Sequence, residues 1–293
     1  MKLFLALFFS FLSLQLLSQT GMEAHYKIYD TRTQQIVTID KIADDFRSAD
    51  VLFFGEDHND SAGHYLEAQI FKALHQRYGS DLTLSLEMFE TDCQLVLDEY
   101  LDGFINEDRL RRDARPWDNY KDYRPVVEFA KENRLDVVAA NPPRRYVNMV
   151  SRKGMRSLDS LPKESKKFLP PLPYDTASGR YREKFTEFMK GGSPGTSNPR
   201  IYYSQNLWDA GMSYSIYKYW KKHKHKKVFH MVGRFHCDEK LGTLAQLQKR
   251  KSSLKILNIS CFSDASFANP DWAKFEKLGD YVIMTDPSLK RTF

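Results

Sequence analysis

The sequence predicts an α/β fold, a largely parallel sheet flanked by helices on both faces and carrying a helical insertion that acts as a lid. Three observations predict it. The apolar runs at residues 51–54, 82–86, 135–140 and 228–232 are short, bounded by Gly, Pro or charge, and separated by helical patterns. Runs of that kind read as buried parallel strands. Each run also ends in polar residues of similar type: Gly55-Glu56-Asp57-His58, then Glu87, then Asn141-Pro142-Pro143-Arg144-Arg145, then Gly233-Arg234-Phe235-His236. Finally, the strand–helix alternation lapses at about residues 151–205, where prolines, glycines and charges take over. A mostly helical insertion over the strand ends explains the lapse.

The elements follow in order. Residues 25–30 and 34–39 flank a polar turn and read as a hairpin. Asp40 caps a helix reaching Phe46, and the first core strand, 51–54, runs into the Gly55 turn. Asp60 or Ser61 caps a helix to about Tyr78, whose apolar positions Leu66, Ile70, Phe71 and Leu74 recur at helical spacing and leave His64 in its first turn. After the strand ending at Glu87, residues 91–104 and 125–133 are helical in pattern, a long crossover that a βαβ unit tolerates. The strand at 135–140 exits through two prolines that force an extended path. Beyond the insertion, 208–220 is helical, 228–232 returns to the sheet, and 254–260 and 281–285 supply its last strands.

Met1-Lys2, an apolar stretch from Leu3 to Leu17 and the small polar tail Ser18-Gln19-Thr20-Gly21 form the three parts of a secretory leader. The stretch is short for a membrane span. The expected organisation is therefore a signal peptide at 1–20 and one α/β domain at 21–293, exported to the periplasm or the extracellular space, with no transmembrane segment in the mature chain. The first cysteine is Cys93, so no lipid-modified cysteine follows the leader; the others, Cys237 and Cys261, fall at the ends of two expected strands, which leaves one disulfide open. A net charge of +6 does not call for nucleic acid. Much of the excess lies in the basic run 221–227, which reads as a solvated helix end and lacks the interleaved aromatics of a nucleic-acid site.

In open α/β sheets ligands collect outside the carboxyl ends of the strands. That rule places Glu56, His58, Glu87, Arg145 and His236 on one rim, with His64 close by. Isolated charge at the ends of buried strands is costly without a partner or a ligand, so the expected rim is functional.

The order Gly55-Glu56-Asp57-His58, Glu87-Met88-Phe89, Trp117-Asp118-Asn119-Tyr120 with Tyr123-Arg124-Pro125, Asn141-Pro142-Pro143-Arg144-Arg145 and Gly233-Arg234-Phe235-His236 resembles the ChaN-like haem-binding lipoproteins of bacteria, relatives of the Tiki and erythromycin-esterase superfamily. The resemblance runs from about residue 29 to about 241. It implies haem as ligand, a role in iron acquisition and a homodimer, while its wider superfamily implies hydrolysis by the same Glu/His rim. Haem needs an axial ligand and cations near its propionates. The candidates are His58, His64 and His236 on the rim, Tyr146 beside Arg144 and Arg145, and Tyr174 and Tyr181 in the insertion. For the alternative, a Glu/His- or metal-dependent hydrolase of an ester or peptide, the candidates are Glu56, His58, Glu87 and His236, with a divalent metal whose ligands the spacing does not name.

Overall fold

A computed structural model describes residues 21–191 and 199–293. The leader expected at 1–20 lies outside the described residues. The chain opens with the hairpin β1 (Tyr26–Asp30) and β2 (Gln35–Val37), then α1 (Ile39–Asp45) and β3 (Val51–Glu56). Helix α2 (Ser61–Tyr78) starts where the Asp60 carboxylate accepts the Ala62 N–H at 3.1 Å, a side-chain cap, and stops at Gly79, whose φ of 52° suits glycine. Strand β4 (Leu82–Glu90) is followed by α3 (Gln94–Leu101), α4 (Glu107–Asp113) and α5 (Tyr120–Glu132), then β5 (Val137–Asn141). Between β5 and β6 (Lys227–Gly233) lie α6 (Arg144–Lys153), α7 (Lys163–Lys166), α8 (Arg180–Gly191) and α9 (Pro199–Lys222). The chain closes with α10 (Gly242–Arg250), β7 (Ile256–Ser263) and β8 (Tyr281–Thr285).

One eight-stranded sheet results, in the order β2-β1-β8-β7-β3-β6-β4-β5. Neighbours from β8 across to β5 all pair in parallel, whereas β1 pairs antiparallel with both β2 and β8. The expected class holds. Alternation along the strands splits the core: Leu52, Phe54, Phe229 and Met231 pack under α2 and α5, whereas Val51, Phe53, Val228 and Val232 pack under α9 and α10. The carboxyl ends of β3, β6 and β4 lie side by side, because β3 pairs with β6 and β6 with β4.

Boundaries differ from the sequence reading at places that matter. Helix α5 begins at Tyr120 rather than at Pro125, which sits inside it on the exposed side, so the one backbone hydrogen bond that proline removes falls at the surface. Helix α9 begins at Pro199 rather than at 208, with proline in the first helical position, where its missing N–H costs nothing. Strand β4 continues to Glu90, with a register shift against β5 between Leu86 and Glu90 that falls around Glu87. All three cysteines are buried and free. No helix among the described residues is long and apolar enough to cross a membrane.

The β5 edge is covered by one side chain. Gln94 Nε2 donates to the Val137 carbonyl and the Ala139 N–H donates to Gln94 Oε1, both at 2.8 Å, so an amide stands in for the next strand. Unpaired strand edges invite pairing with another chain. Gln94→Ala is expected to lower stability by about 1–2 kcal/mol and to raise self-association, read as a shifted urea midpoint and increased light scattering. An unchanged midpoint with unchanged scattering would show that the edge needs no cover.

Candidate functional site

The rim is built where three parallel strands end together. Register pairs Glu56 of β3 with Gly233 of β6, and the Gly233 N–H donates to Glu87 Oε2 of β4 at 2.7 Å. Glycine at 233 leaves room for His58, since a Cβ there would lie 2.7 Å from two atoms of the imidazole. At Gly55 a Cβ would come within 2.5 Å of Cys237 Sγ, so the short turn carrying His236 closes against β3. Gly233→Ala is therefore expected to push the His58 ring off the rim while the sheet stays folded. The displaced ring should show as a changed His58 chemical shift and titration in NMR, with a urea midpoint near that of the parent; an unmoved His58 would refute the packing described.

Glu56 is the hub of the first cluster. Its Oε1 accepts from the Tyr123 hydroxyl at 2.8 Å and from His58 Nδ1 at 2.9 Å, and its Oε2 lies 3.3 Å from His64 Nδ1. His64 Nδ1 also lies 2.9 Å from Glu67 Oε2, one helical turn along α2, and His64 Nε2 lies 3.1 Å from the His58 carbonyl oxygen. Burial raises the Glu56 carboxyl, but the His58 hydrogen bond and the charges of His58 and His64 outweigh it and hold the group low. Burial and the neighbouring Glu56 charge push Glu67 well up. His64 is pulled down by burial, yet Glu67 and Glu56 together drive it up to about 10. His58 is likewise raised, because Glu56 and Glu87 overcome its desolvation. Its side chain keeps 39% exposure, and its ring meets Trp117 edge-on at 4.9 Å.

His236 belongs to a second cluster on the same rim. Its Nδ1 is 2.7 Å from Asp209 Oδ1 of α9, and its Nε2 is 3.7 Å from Glu87 Oε1. Burial opposes the charged imidazole, but Asp209 and Glu87 raise it overall. Asp209 also accepts from the Tyr181 hydroxyl at 2.5 Å and from Thr243 at 2.9 Å. Glu87 thus bridges the two histidines, and its charge acts on both.

The structure brings Glu56, His58, Glu87 and His236 together and sets His64 one layer beneath them. Arg144 and Arg145 open α6 and line a neighbouring cavity of about 1220 Å³ with Arg115, Trp117, Lys121 and Arg152. Arg145 pairs with Asp92 and lies over the ring of the buried Tyr146, whose hydroxyl it also reaches at 3.3 Å. Among the described residues Arg144 and Arg152 have no acidic partner. The insertion's tyrosines are not presented to the rim: Tyr174 donates to the Tyr203 carbonyl at 2.9 Å inside an apolar cluster, and Tyr181 stands behind His236 on Asp209. The sequence reading missed Glu67 and Asp209 altogether and, while it placed Trp117 and Tyr123 in the motifs of the resemblance, gave neither a role at the site. A His-x-x-Glu spacing on an amphipathic helix was the available signal for Glu67. For Asp209 it was an acid between the apolar Trp208 and Ala210.

An open parallel sheet whose strand ends present carboxylate-braced histidines beside a cationic, tryptophan-walled cavity defines a ligand-binding α/β protein. Residues 42–247 match the family described as haem-binding uptake, Tiki superfamily, ChaN, and the chain belongs to that family. Among solved structures it is similar to ChaN of Campylobacter jejuni, described by its cofacial haem binding, with a TM-score of 0.68 and 20% identity over 89% of this chain and 97% of that one. The erythromycin esterase EreC is a more distant structural neighbour, with a TM-score of 0.48 and 11% identity over 90% of this chain and 84% of that one. In sequence, protein RETICULATA-RELATED 5, chloroplastic, of Arabidopsis thaliana is 29% identical over 133 residues, which span 44% of this chain but only 17% of the plant protein.

Proposed function

We propose that this chain is an exported haem-binding protein that serves iron acquisition, and that the cavity beside His58 holds the porphyrin. The observation that carries the reading is the cavity itself: a tryptophan wall for the ring and Arg144 and Arg152, without acidic partners, for the propionates. His58 is the axial ligand of choice, since Glu56 fixes its Nδ1 and leaves Nε2 for iron. The leader-like residues 1–20 support export. A homodimer that meets across the ligand belongs to the same reading, and the cofacial haem binding described for the Campylobacter protein is in keeping with it.

Haemin added to the purified protein is expected to give a saturable, shifted Soret band, weakened at least about tenfold by His58→Ala and by Arg144→Ala with Arg152→Ala. No saturable shift, in monomer or dimer, would remove the proposal. The pH dependence has a definite sign. Iron needs a neutral imidazole nitrogen, and His58 holds its proton above the ordinary histidine value. Affinity should therefore rise with pH and level off only above about 6.5. An affinity flat from pH 5 to 8 would point to a ligand other than His58.

A second reading is favoured by the Asp209–His236 pair, in which a carboxylate holds Nδ1 at 2.7 Å and orients the ring on the rim, the support that a catalytic imidazole needs. A screen of ester and peptide substrates tests it. Turnover that His236→Ala abolishes would support a hydrolase, and turnover that survives both His58→Ala and His236→Ala would exclude one acting through this rim.

A further inference from the structure

Beneath the rim Glu56 meets two side chains, His64 and Glu67, that the haem reading leaves without a role. Glu56 ends β3, and His64 and Glu67 lie one turn apart on the first half of α2. A ligating atom from each lies within 4.8 Å of the others, and the three residues are 2%, 7% and 1% exposed respectively. Among the described residues no other trio of His, Cys, Asp and Glu is gathered this closely.

Two features point to a cation there. Glu56 Oε2 and Glu67 Oε1 are buried and receive no hydrogen bond, a costly arrangement for carboxylate oxygens unless another positive partner is present. The orientation of His64 supplies the second: its Nε2 donates to the His58 carbonyl oxygen at 3.1 Å, so Nδ1 is the nitrogen that faces the two carboxylates, and a cation that takes the place of the Nδ1 proton finds the ring already oriented. Metal-bound histidines are oriented by such a carbonyl on the far nitrogen. Nδ1 is 3.3 Å from Glu56 Oε2 and 2.9 Å from Glu67 Oε2. Ligands roughly 2.0–2.2 Å from a common ion are separated by roughly 3–3.5 Å; the two distances to Nδ1 are already close to that, and the whole set lies within 4.8 Å.

We propose that Glu56, His64 and Glu67 bind one first-row divalent cation. One imidazole and two carboxylates suit Zn²⁺, Mn²⁺ or Fe²⁺ rather than soft Cu⁺, and the ion's charge balances both carboxylates. Tyr123 and His58 occupy Glu56 Oε1, which leaves Oε2 to the ion and makes Glu56 the link between the metal and the rim imidazole. This site stands independently of the haem reading.

The test uses the full chain without haem, dialysed against a chelator and titrated with Zn²⁺ and with Mn²⁺ in competition with a chromogenic chelator. One ion per chain is expected. His64→Gln and Glu67→Gln should each weaken binding by about 100-fold or more, and His236→Gln should leave it in place. X-ray absorption on the Zn²⁺-loaded parent provides a reading that needs no variant to fold, and a single imidazole among oxygen ligands is the expected shell. Absence of stoichiometric binding overturns the proposal. So does a shell with two imidazoles, or binding that His236→Gln abolishes and His64→Gln spares, since either result would place the ion on the rim instead.

Discussion

Replacing Glu56 by alanine is expected to lower folding stability by about 3–5 kcal/mol, measured by urea unfolding with a chelator present so that only side-chain interactions are compared. The carboxylate is 2% exposed and serves Tyr123, His58 and His64 at once. Its removal leaves the buried Tyr123 hydroxyl without its acceptor and leaves His64 with Glu67 as its only close carboxylate partner, within 3 Å at 2.9 Å. A surface pair such as Arg77 with the exposed Asp40 is a useful contrast, because its loss should cost about 0–1 kcal/mol. Burial is what separates the two. Glu56→Gln keeps the volume and one acceptor, so it should fall between alanine and the parent. In either variant the His58 imidazole should titrate lower, since the Glu56 charge that helps to raise it is gone, and in the alanine variant the hydrogen bond goes too. A Glu56→Ala protein within about 1 kcal/mol of the parent would mean that the cluster does not hold this corner together.

Much of the rim was legible because parallel strands carry their carboxyl ends to one edge, so any charged residue just after an apolar run must arrive there. Glu56, His58, Glu87 and His236 were all found that way. What stayed hidden depends on contacts between elements far apart in sequence. Glu67 sits on an amphipathic helix, where a carboxylate ordinarily faces water, and only its approach to His64 and Glu56 shows otherwise. Tyr123 and Trp117 lie before Pro125, the point at which a proline suggested that the helix begins; the helix in fact starts earlier and swings Tyr123 beneath Glu56. The haem that the resemblance implies made Tyr174 and Tyr181 ligand candidates, yet a phenol in a helical insertion faces a ligand or a core according to what α9 offers it, and α9 offers the Tyr203 carbonyl and Asp209. The Arg145 guanidinium illustrates the same limit, since its pairing with Asp92 joins α6 to the turn after β4.

The second large effect concerns a histidine that takes no part in the rim. His230 lies in the middle of β6, fully buried, with Nδ1 3.0 Å from the Ser85 hydroxyl oxygen, Nε2 without a hydrogen-bond partner and its ring edge-on to Phe53 at 5.0 Å. Desolvation dominates, and with some help from His236 it depresses the imidazole from 6.5 to about 3. The unfolded chain therefore takes up this proton near pH 6.5 while the folded one does not, so stability rises with pH through this interval. The contribution is fully present above pH 6.5 and is lost as pH falls toward about 3. At pH 4 the loss should reach about 3 kcal/mol, from about 2.5 pH units at 1.36 kcal/mol each. His230→Gln keeps a polar partner for Ser85 but cannot titrate. Urea midpoints at pH 7 and pH 4 should consequently fall much further for the parent than for the variant, after allowance for any constant difference between them at pH 7. Equal falls would show that the buried imidazole does not govern acid sensitivity and that the carboxylates around Glu56 and Asp45, both held low in the folded chain, account for it instead.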